Sequence, residues 1–285
     1  MSPMGSTFEE TPIAAVRDYW NSRPCNLRHS PASVGTREYF DEVERRKYFV
    51  EPHIPAFAAF PRWAGKRVLE IGCGLGTDTI NFARAGALVT AIDLSDRSLD
   101  LARQRAEIFG VADRVRFVAA DAEHLSAFVE PQPYDLVYSF GVIHHSPHPD
   151  RILREVRRHF VHAGSTLKVM VYHRWSWKVL GIVLTETHGA WWRMDRAVAR
   201  HSEAQTGCPV TYTYSRRTGS QLLEDAGFDV LDAQVDHIFP YRVRDYVRYR
   251  YVKTLPFRFL APAAMRALEG RLGWHLCLTA RPAGA

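Results

Sequence analysis

The sequence predicts an α/β fold in which helices cover both faces of a mostly parallel sheet. Three observations carry that expectation. An apolar run, Val68-Leu69-Glu70-Ile71, passes at once into glycines at every second position, Gly72, Gly74 and Gly76. A helical pattern follows from about Asp78 to Ala85, and Gly86 closes it. That order reads as a buried strand, a turn without side chains, and a helix entered close to a ligand. A second apolar run, Leu88 to Ile92, ends at Asp93, where a second parallel strand would deliver a ribose-binding carboxylate. From Lys66 to Met170 strand-like and helix-like segments then alternate, which is the rhythm of a parallel sheet.

Taken in order, residues 1–62 read as a helical N-terminal cap or lid. Thr11-Pro12-Ile13 opens a helix, with proline tolerated in the first turn. The stretch from Trp20 to Asn26 breaks it. A second helical run starts at Thr36, with Glu38 placed to suit the helix dipole. Residues 63–172 form the core. Its strands are expected at Arg67–Ile71, Leu88–Ile92, Val115–Val118, Leu136–Ser139 and Thr166–Tyr172, with a turn at His162-Ala163-Gly164. Ser95 is a good cap for the helix through Leu99, Ala102 and Ala106. Residues 173–214 break the alternation. They concentrate Trp175, Trp177, Trp191 and Trp192, and read as an insertion over the active site. Residues 215–285 complete the core with a helix from Thr218 to Ala226 and strands at Val230–Val235 and Trp274–Ala280. A second, aromatic-rich insertion spans about 237–269.

The motifs in this chain resemble those of the class I S-adenosylmethionine-dependent methyltransferases. Their first motif, E/D-x-G-x-G-x-G, is matched by Glu70, Gly72, Gly74 and Gly76, and the acid after the next strand by Asp93. Ala120-Asp121-Ala122-Glu123 resembles the adenine-side acidic segment. Tyr134 to Ser139 resembles the fourth strand. Gly141-Val142-Ile143-His144-His145 is similar to the "GVLHH" segment of many small-molecule members. These likenesses cover roughly Gly65 to Val171. They imply a Rossmann-like sheet of seven strands, the last antiparallel and lying between strands five and six. They also imply S-adenosyl-L-methionine as cofactor and methylation of a small molecule, as in secondary metabolism.

Composition narrows the alternatives. With 285 residues, 46% hydrophobic and 24% charged, the chain is expected to form one large domain or a core plus a lid. No run of about 18 apolar residues offers a membrane span, and Met1 to Thr7 lacks the pattern of a secretory signal. Cys25, Cys73, Cys208 and Cys277 show no metal-ligand spacing, so no metal is expected and a reduced, cytoplasmic setting is. A formal charge of +6 is mild, and the basic residues are scattered, so nucleic acid is disfavoured as a partner. The oligomeric state, monomer or homodimer, is left open. Gly76-Thr77-Asp78 stands where a triphosphate loop needs Gly-Lys-Ser/Thr. Nor does the chain carry the Asn/Asp-Pro-Pro-Tyr segment of enzymes that methylate amino groups of bases or of glutamine.

Candidate residues follow. Gly72, Gly74 and Gly76 would let the backbone approach the cofactor, where a Cβ would clash. Asp93 would accept from the ribose hydroxyls. Asp121, beside Ala122, would take the adenine amino group, a role the resemblance implies. Glu70 would either position the glycine turn or meet the cationic end of the cofactor. His144 and His145 are the catalytic candidates, as a general base or as residues that shape the pocket; adjacent extended residues cannot both face one point. For the acceptor, Tyr212 and Tyr214 alternate with threonines on one extended segment, and Asp236, His237 and Arg242 surround the end of the sixth strand. Tyr39, Arg46, Tyr48 and His53 could close over the site, with Arg46 pairing the cofactor carboxylate. Plain packing is the competing role for each of these. Two other functions stay open: methylation of RNA or protein, and a non-catalytic protein that binds the cofactor or a partner. A dehydrogenase would also use an acid after strand two, but no nicotinamide pocket or proton relay is evident.

Overall fold

The computed structural model describes residues 7–205 and 207–284; residues 1–6, most of the stretch read above for a secretory signal, lie outside them. Seven strands form one sheet: β1 (Arg67–Ile71), β2 (Leu88–Asp93), β3 (Val115–Ala119), β4 (Tyr134–Phe140), β5 (Val161–Tyr172), β6 (Phe228–Asp236) and β7 (His275–Pro282). Their order is β3-β2-β1-β4-β5-β7-β6. β1 to β5 run parallel, and β7 is antiparallel to both β5 and β6. The sequence order reverses between β1 and β4, and such a switch point opens a crevice at the carboxyl ends of the strands.

Alternating side chains supply both faces of the sheet. Leu69 and Ile71 join Val137, Val169, Leu276 and Leu278 in one cluster. Val68 joins Ile80, Phe82, Val89, Leu99, Leu136 and Tyr138 in the other. The helices are α1 (Ile13–Ser22), α2 (Arg37–Val50), α3 (Ile54–Ala58), α4 (Thr77–Arg84), α5 (Asp96–Ile108), α6 (Pro149–His159), α7 (Trp177–Glu186), α8 (Met194–Gln205), α9 (Arg216–Asp225), α10 (Val243–Tyr246), α11 (Leu255–Arg258) and α12 (Pro262–Leu272). Ser95 caps α5 through the Ser98 amide, as expected. Among the described residues no helix is long and apolar enough to cross a membrane.

β5 begins earlier than the sequence suggested. His162-Ala163-Gly164 lies inside the strand rather than in a turn, across a register shift between the pairs made by Tyr134 and Leu136. Ser165 stabilises the irregularity: its Oγ accepts from the His162 amide and donates to the Tyr134 carbonyl. The first insertion folds as α7 and α8. Val179, Ile182 and Val183 pack with Met194, Ala197 and Val198 over Met170, Tyr172, Trp274 and Cys277. Of its four tryptophans only Trp177 lines the central cavity. Trp175 and Trp191 pack on each other at 5.3 Å and stay solvent-facing, and Trp192 is 83% exposed.

α2 is fixed to the core by charge as well as by packing. Its stripe of Tyr39, Phe40, Val43 and Arg46 is buried. Arg105 of α5, fully buried, donates to Glu44 Oε2 at 2.6 Å and to Thr77 Oγ1 at 2.7 Å. Lys47 meets Asp78 of α4 at 2.7 Å, and Asp78 also accepts from Tyr48 and Tyr138. Lys47, Asp78 and the Arg105 Nη groups thus find partners across the junction. The first helices are thereby held over the strand ends.

Candidate active site

A cavity of about 1630 Å³ opens above the carboxyl ends of the strands. That exceeds the usual size of a single small-molecule pocket, so it has room for two ligands. One wall is local to the glycine turn. Gly72, Gly74, Asp93, Asp121 and Ala122 all line it. Gly72 sits at φ +80°, and a Cβ there would lie 2.2 Å from Val142, so only glycine fits. Asp93 accepts from the Gly74 amide and the Ser95 amide, both at 2.8 Å. A carboxylate oxygen can accept more than one hydrogen bond, and Asp93 lines the cavity. Burial pushes its pKa up, against the pull of those amides. Asp121 caps the next turn through the Glu123 amide at 2.9 Å. Gly76 is held against Ala102, where a Cβ would come within 3.1 Å, and does not line the cavity.

Glu70 is turned away. The strand alternation that aims Ile71 into the cavity puts Glu70 on the α4 face, where its carboxylate accepts from Thr79. Burial, with the nearby Asp78 charge, pushes its pKa up to about 8. Direct contact with a cationic ligand is corrected to support of the glycine turn from behind.

The two histidines after β4 divide. His144 is fully buried, its ring 4.0 Å from Tyr172, and it does not line the cavity. Burial drives its pKa well below the usual value, so it is neutral. His145 does line the cavity. Its Nδ1 lies 2.7 Å from the Val210 carbonyl. Assigned as the donor there, Nδ1 leaves Nε2 as the basic nitrogen. The loop that carries His145 is tied down by Glu123, which accepts from Ser146 Oγ and from the His148 amide at 3.0 Å.

The opposite wall is assembled from distant segments. Arg46 and Glu51 come from α2 and its end, Tyr172 from β5, Lys178 and Ile182 from α7, and His237 and His275 from the ends of β6 and β7. Arg46 is buried under Tyr246 and Tyr249, with its guanidinium 4.0 and 4.5 Å from their ring centres. One nitrogen donates to the Tyr246 carbonyl at 2.7 Å, while Nε and Nη1 are buried without a protein partner. A planar cation with two unused donors suits a carboxylate or phosphate. The stretch from Trp20 to Asn26, read from sequence only as a helix break, contributes to this wall, as does the half-buried His29 that follows it.

Several expected acceptor contacts are not made by the residues named for them. Tyr39 is fully buried beneath the lid, and its hydroxyl donates to the Leu27 carbonyl. Tyr48 donates to Asp78. Tyr212 packs edge-on against Phe8 and donates to the Pro147 carbonyl; Tyr214 is buried in the sheet cluster. Their segment runs beside the strand ends and pairs its backbone with His144 and Tyr172. Each ring thus shapes the site from outside it. Arg242, the residue that precedes α10, is exposed and does not line the cavity. His53 and Asp236 lie just behind the wall. His53 Nε2 is 3.0 Å from His275 Nδ1, and Asp236 Oδ1 is 4.0 Å from His53 Nδ1. Glu51, Lys47 and His275 were not singled out, since no local spacing joins residues so far apart in the chain.

A family described as "Methyltransferase domain" matches residues 68–164. A ubiquinone biosynthesis O-methyltransferase of Bordetella parapertussis is 41% identical over 91 residues, 32% of this chain and 36% of that protein. A 27-O-demethylrifamycin SV methyltransferase of Amycolatopsis mediterranei is 37% identical over 102 residues, 34% of this chain and 36% of that protein. The matched stretch thus spans about a third of each of these relatives. Among solved structures, magnesium protoporphyrin IX methyltransferase of Synechocystis, with bound S-adenosylhomocysteine, aligns at TM-score 0.59 and 17% identity, covering 95% of this chain and 100% of that one. That likeness is one of fold.

Proposed function

We propose that this chain is a class I S-adenosylmethionine-dependent methyltransferase that moves the methyl group of S-adenosyl-L-methionine onto an oxygen, nitrogen or carbon of a small metabolite; its fold and the methyltransferase-domain match over residues 68–164 support this reading. The observation that carries this reading is the opening of the glycine turn, Asp93 and Asp121 onto one cavity together with His145 and Arg46. In this assignment the backbone at Gly72 and Gly74 lies against the cofactor, Asp93 takes the ribose hydroxyls, and Asp121 with Ala122 meets the adenine. Gly76 lets the turn pack on α5. Arg46 offers its two unused donors to a carboxylate, on the cofactor or on the acceptor.

The sulfonium is already activated, so the protein has to align the acceptor and exclude water. In-line transfer needs the nucleophile about 3–3.5 Å from the methyl carbon. The nucleophile's lone pair forms the new bond to carbon, and the carbon–sulfur pair leaves with sulfur. His145, the one of the pair that lines the cavity, is the base candidate where the nucleophile carries a proton. His144 supports His145 from the core. Aromatic and imidazole side chains of Tyr172, Trp177, Phe239 and His237 suit an aromatic or polar acceptor enclosed at the far end, as in a tailoring step of secondary metabolism. We assign the protein to the cytoplasm, without nucleic acid as a partner.

The test gives the purified protein methyl-labelled S-adenosylmethionine and a cell extract, then separates products by size. Label in the small-molecule fraction is expected. Label in RNA or protein overturns the acceptor class. Binding of the cofactor with no transfer into any fraction, across extracts from several sources, favours a non-catalytic binder.

A further inference from the structure

Among the described residues, one group of three side chains brings donor atoms close enough to share an ion. Glu51, His237 and His275 each place one oxygen or nitrogen within 4.8 Å of the others. They come from the end of α2, the end of β6 and the start of β7, and all three line the cavity. We propose that Glu51, His237 and His275 bind a divalent transition-metal ion, zinc by their donor set, with an open coordination position toward the cavity.

The chemistry of the donors is the first argument. Two imidazoles and one carboxylate are the ligand set of zinc sites that keep a fourth position for water or substrate. The spacing is the second. Glu51 Oε1 and His275 Nε2 stand 3.5 Å apart. That is long for a hydrogen bond, whereas two ligands of a tetrahedral ion with bonds of about 2.0–2.1 Å stand about 3.4 Å apart. His237 needs only a modest side-chain adjustment to complete the set.

The surroundings are the third argument. A metal-binding histidine usually donates its other ring N–H to a fixed acceptor, which sets its tautomer and its orientation. His275 has that arrangement. With Nε2 toward Glu51, its Nδ1 faces His53 Nε2 at 3.0 Å, and His53 Nδ1 in turn faces Asp236 at 4.0 Å. His237 is held in a left-handed conformation at φ +66°, unusual for a residue with a side chain. Its carbonyl accepts from the Trp274 amide at 2.7 Å, and its own amide donates to Asp236 Oδ1 at 2.7 Å. Backbone strain that is over-determined in this way collects at functional sites. These bonds hold the backbone of His237 where its ring lies beside that of His275, 4.7 Å between centres. Local sequence carries no sign of the site, because its three ligands are spread over more than 200 positions.

The experiment uses the full-length protein stripped of metal with a chelator and titrated with Co²⁺, read by its ligand-field absorption, with Zn²⁺ then competing it out. One equivalent is expected to bind at a coordination number of four or five. Loss of a supporting group behind a metal ligand costs about 10–100-fold in affinity. His53→Ala is therefore expected to weaken uptake by about tenfold. His237→Ala, His275→Ala and Glu51→Gln remove ligands and lose at least as much. Glu51→Gln keeps the side-chain shape on a half-buried residue, so its reading stands even if a histidine variant misfolds. Circular dichroism and S-adenosylhomocysteine binding verify each fold. No uptake by the wild type, or uptake unchanged in both Glu51→Gln and His237→Ala, overturns the proposal. Because Co²⁺ uptake needs neither cofactor nor acceptor, its failure is separate from failure of the methyl-transfer reading.

Discussion

The cofactor side of the cavity takes its walls from residues 71–75, 92–94 and 120–122, which leave three adjacent parallel strands at one edge. The acceptor side takes its walls from residues 46–51, 172–186, 237–249 and 272–275. On the first side each ligand-facing group is set by its own strand end and turn: Gly72 by its positive φ, Asp93 by two backbone amides. On the second side the groups are placed mainly by distant segments. Arg46 is placed by tyrosines some 200 residues later, and His275 by a histidine 222 residues earlier. One half is a property of the core fold, while the other exists only once the lid and the insertions are docked on it.

The tie between the halves gives the largest effect. Asp78→Ala removes the acceptor of Lys47, Tyr48 and Tyr138 and leaves a lysine charge unpaired at the junction of α2 with α4. We expect a loss of about 3 kcal/mol or more in unfolding free energy by chemical denaturation. A loss below about 1 kcal/mol would mean that the lid is not held by this pair.

His145 and His144 sharpen the comparison inside one loop. His145→Ala is expected to slow turnover by about a hundredfold with cofactor affinity kept. His144→Phe replaces a buried ring whose two nitrogens have no hydrogen-bond partner, so it is expected to retain stability and most of the rate. Equal rate losses in the two variants would show that the pair acts as one unit.

Glu70 tests the cofactor side from behind through pH. Its pKa is raised from 4.5 to about 8 by burial and by Asp78, so the native state holds this proton more tightly than the unfolded chain does. Its contribution to stability is whole below about pH 4.5 and is lost as the pH rises toward 8. Thermal melts of the wild type are expected to fall across this window more steeply than those of Glu70→Gln. Parallel melting curves would remove Glu70 as the source.

The smallest effect belongs to Arg242. Although it sits near the acceptor side in sequence, it is exposed and does not line the cavity. Arg242→Ala is expected to change turnover and KM by less than about twofold, a few tenths of a kcal/mol. A tenfold rise in KM would extend the acceptor site to the surface of α10.

These contrasts explain what the sequence made legible. The strands, the glycine turn and the two acids were readable because their signals are short-range: apolar runs, positive-φ glycines and strand-end carboxylates within a few residues of one another. The antiparallel last strand came from family resemblance, and the pairing of β7 with both β5 and β6 agrees with it. Sequence points Tyr48 to the site as part of a lid and Tyr212 as a phenol on an extended segment. Their hydroxyls instead satisfy Asp78 and the Pro147 carbonyl, contacts that only tertiary packing creates. Glu51 and His275 were passed over for the converse reason, since each is unremarkable beside its own neighbours in the chain.

The most direct measurement of the two-sided cavity is calorimetric titration of S-adenosylhomocysteine into the wild type, Asp93→Ala and His237→Ala. The account predicts one-to-one binding to the wild type, a fall of tenfold or more in Asp93→Ala, equivalent to about 1.4 kcal/mol, and near-wild-type affinity in His237→Ala. Unchanged affinity in Asp93→Ala, or an equal fall in both variants, would contradict the division of the cavity into a cofactor side and an acceptor side.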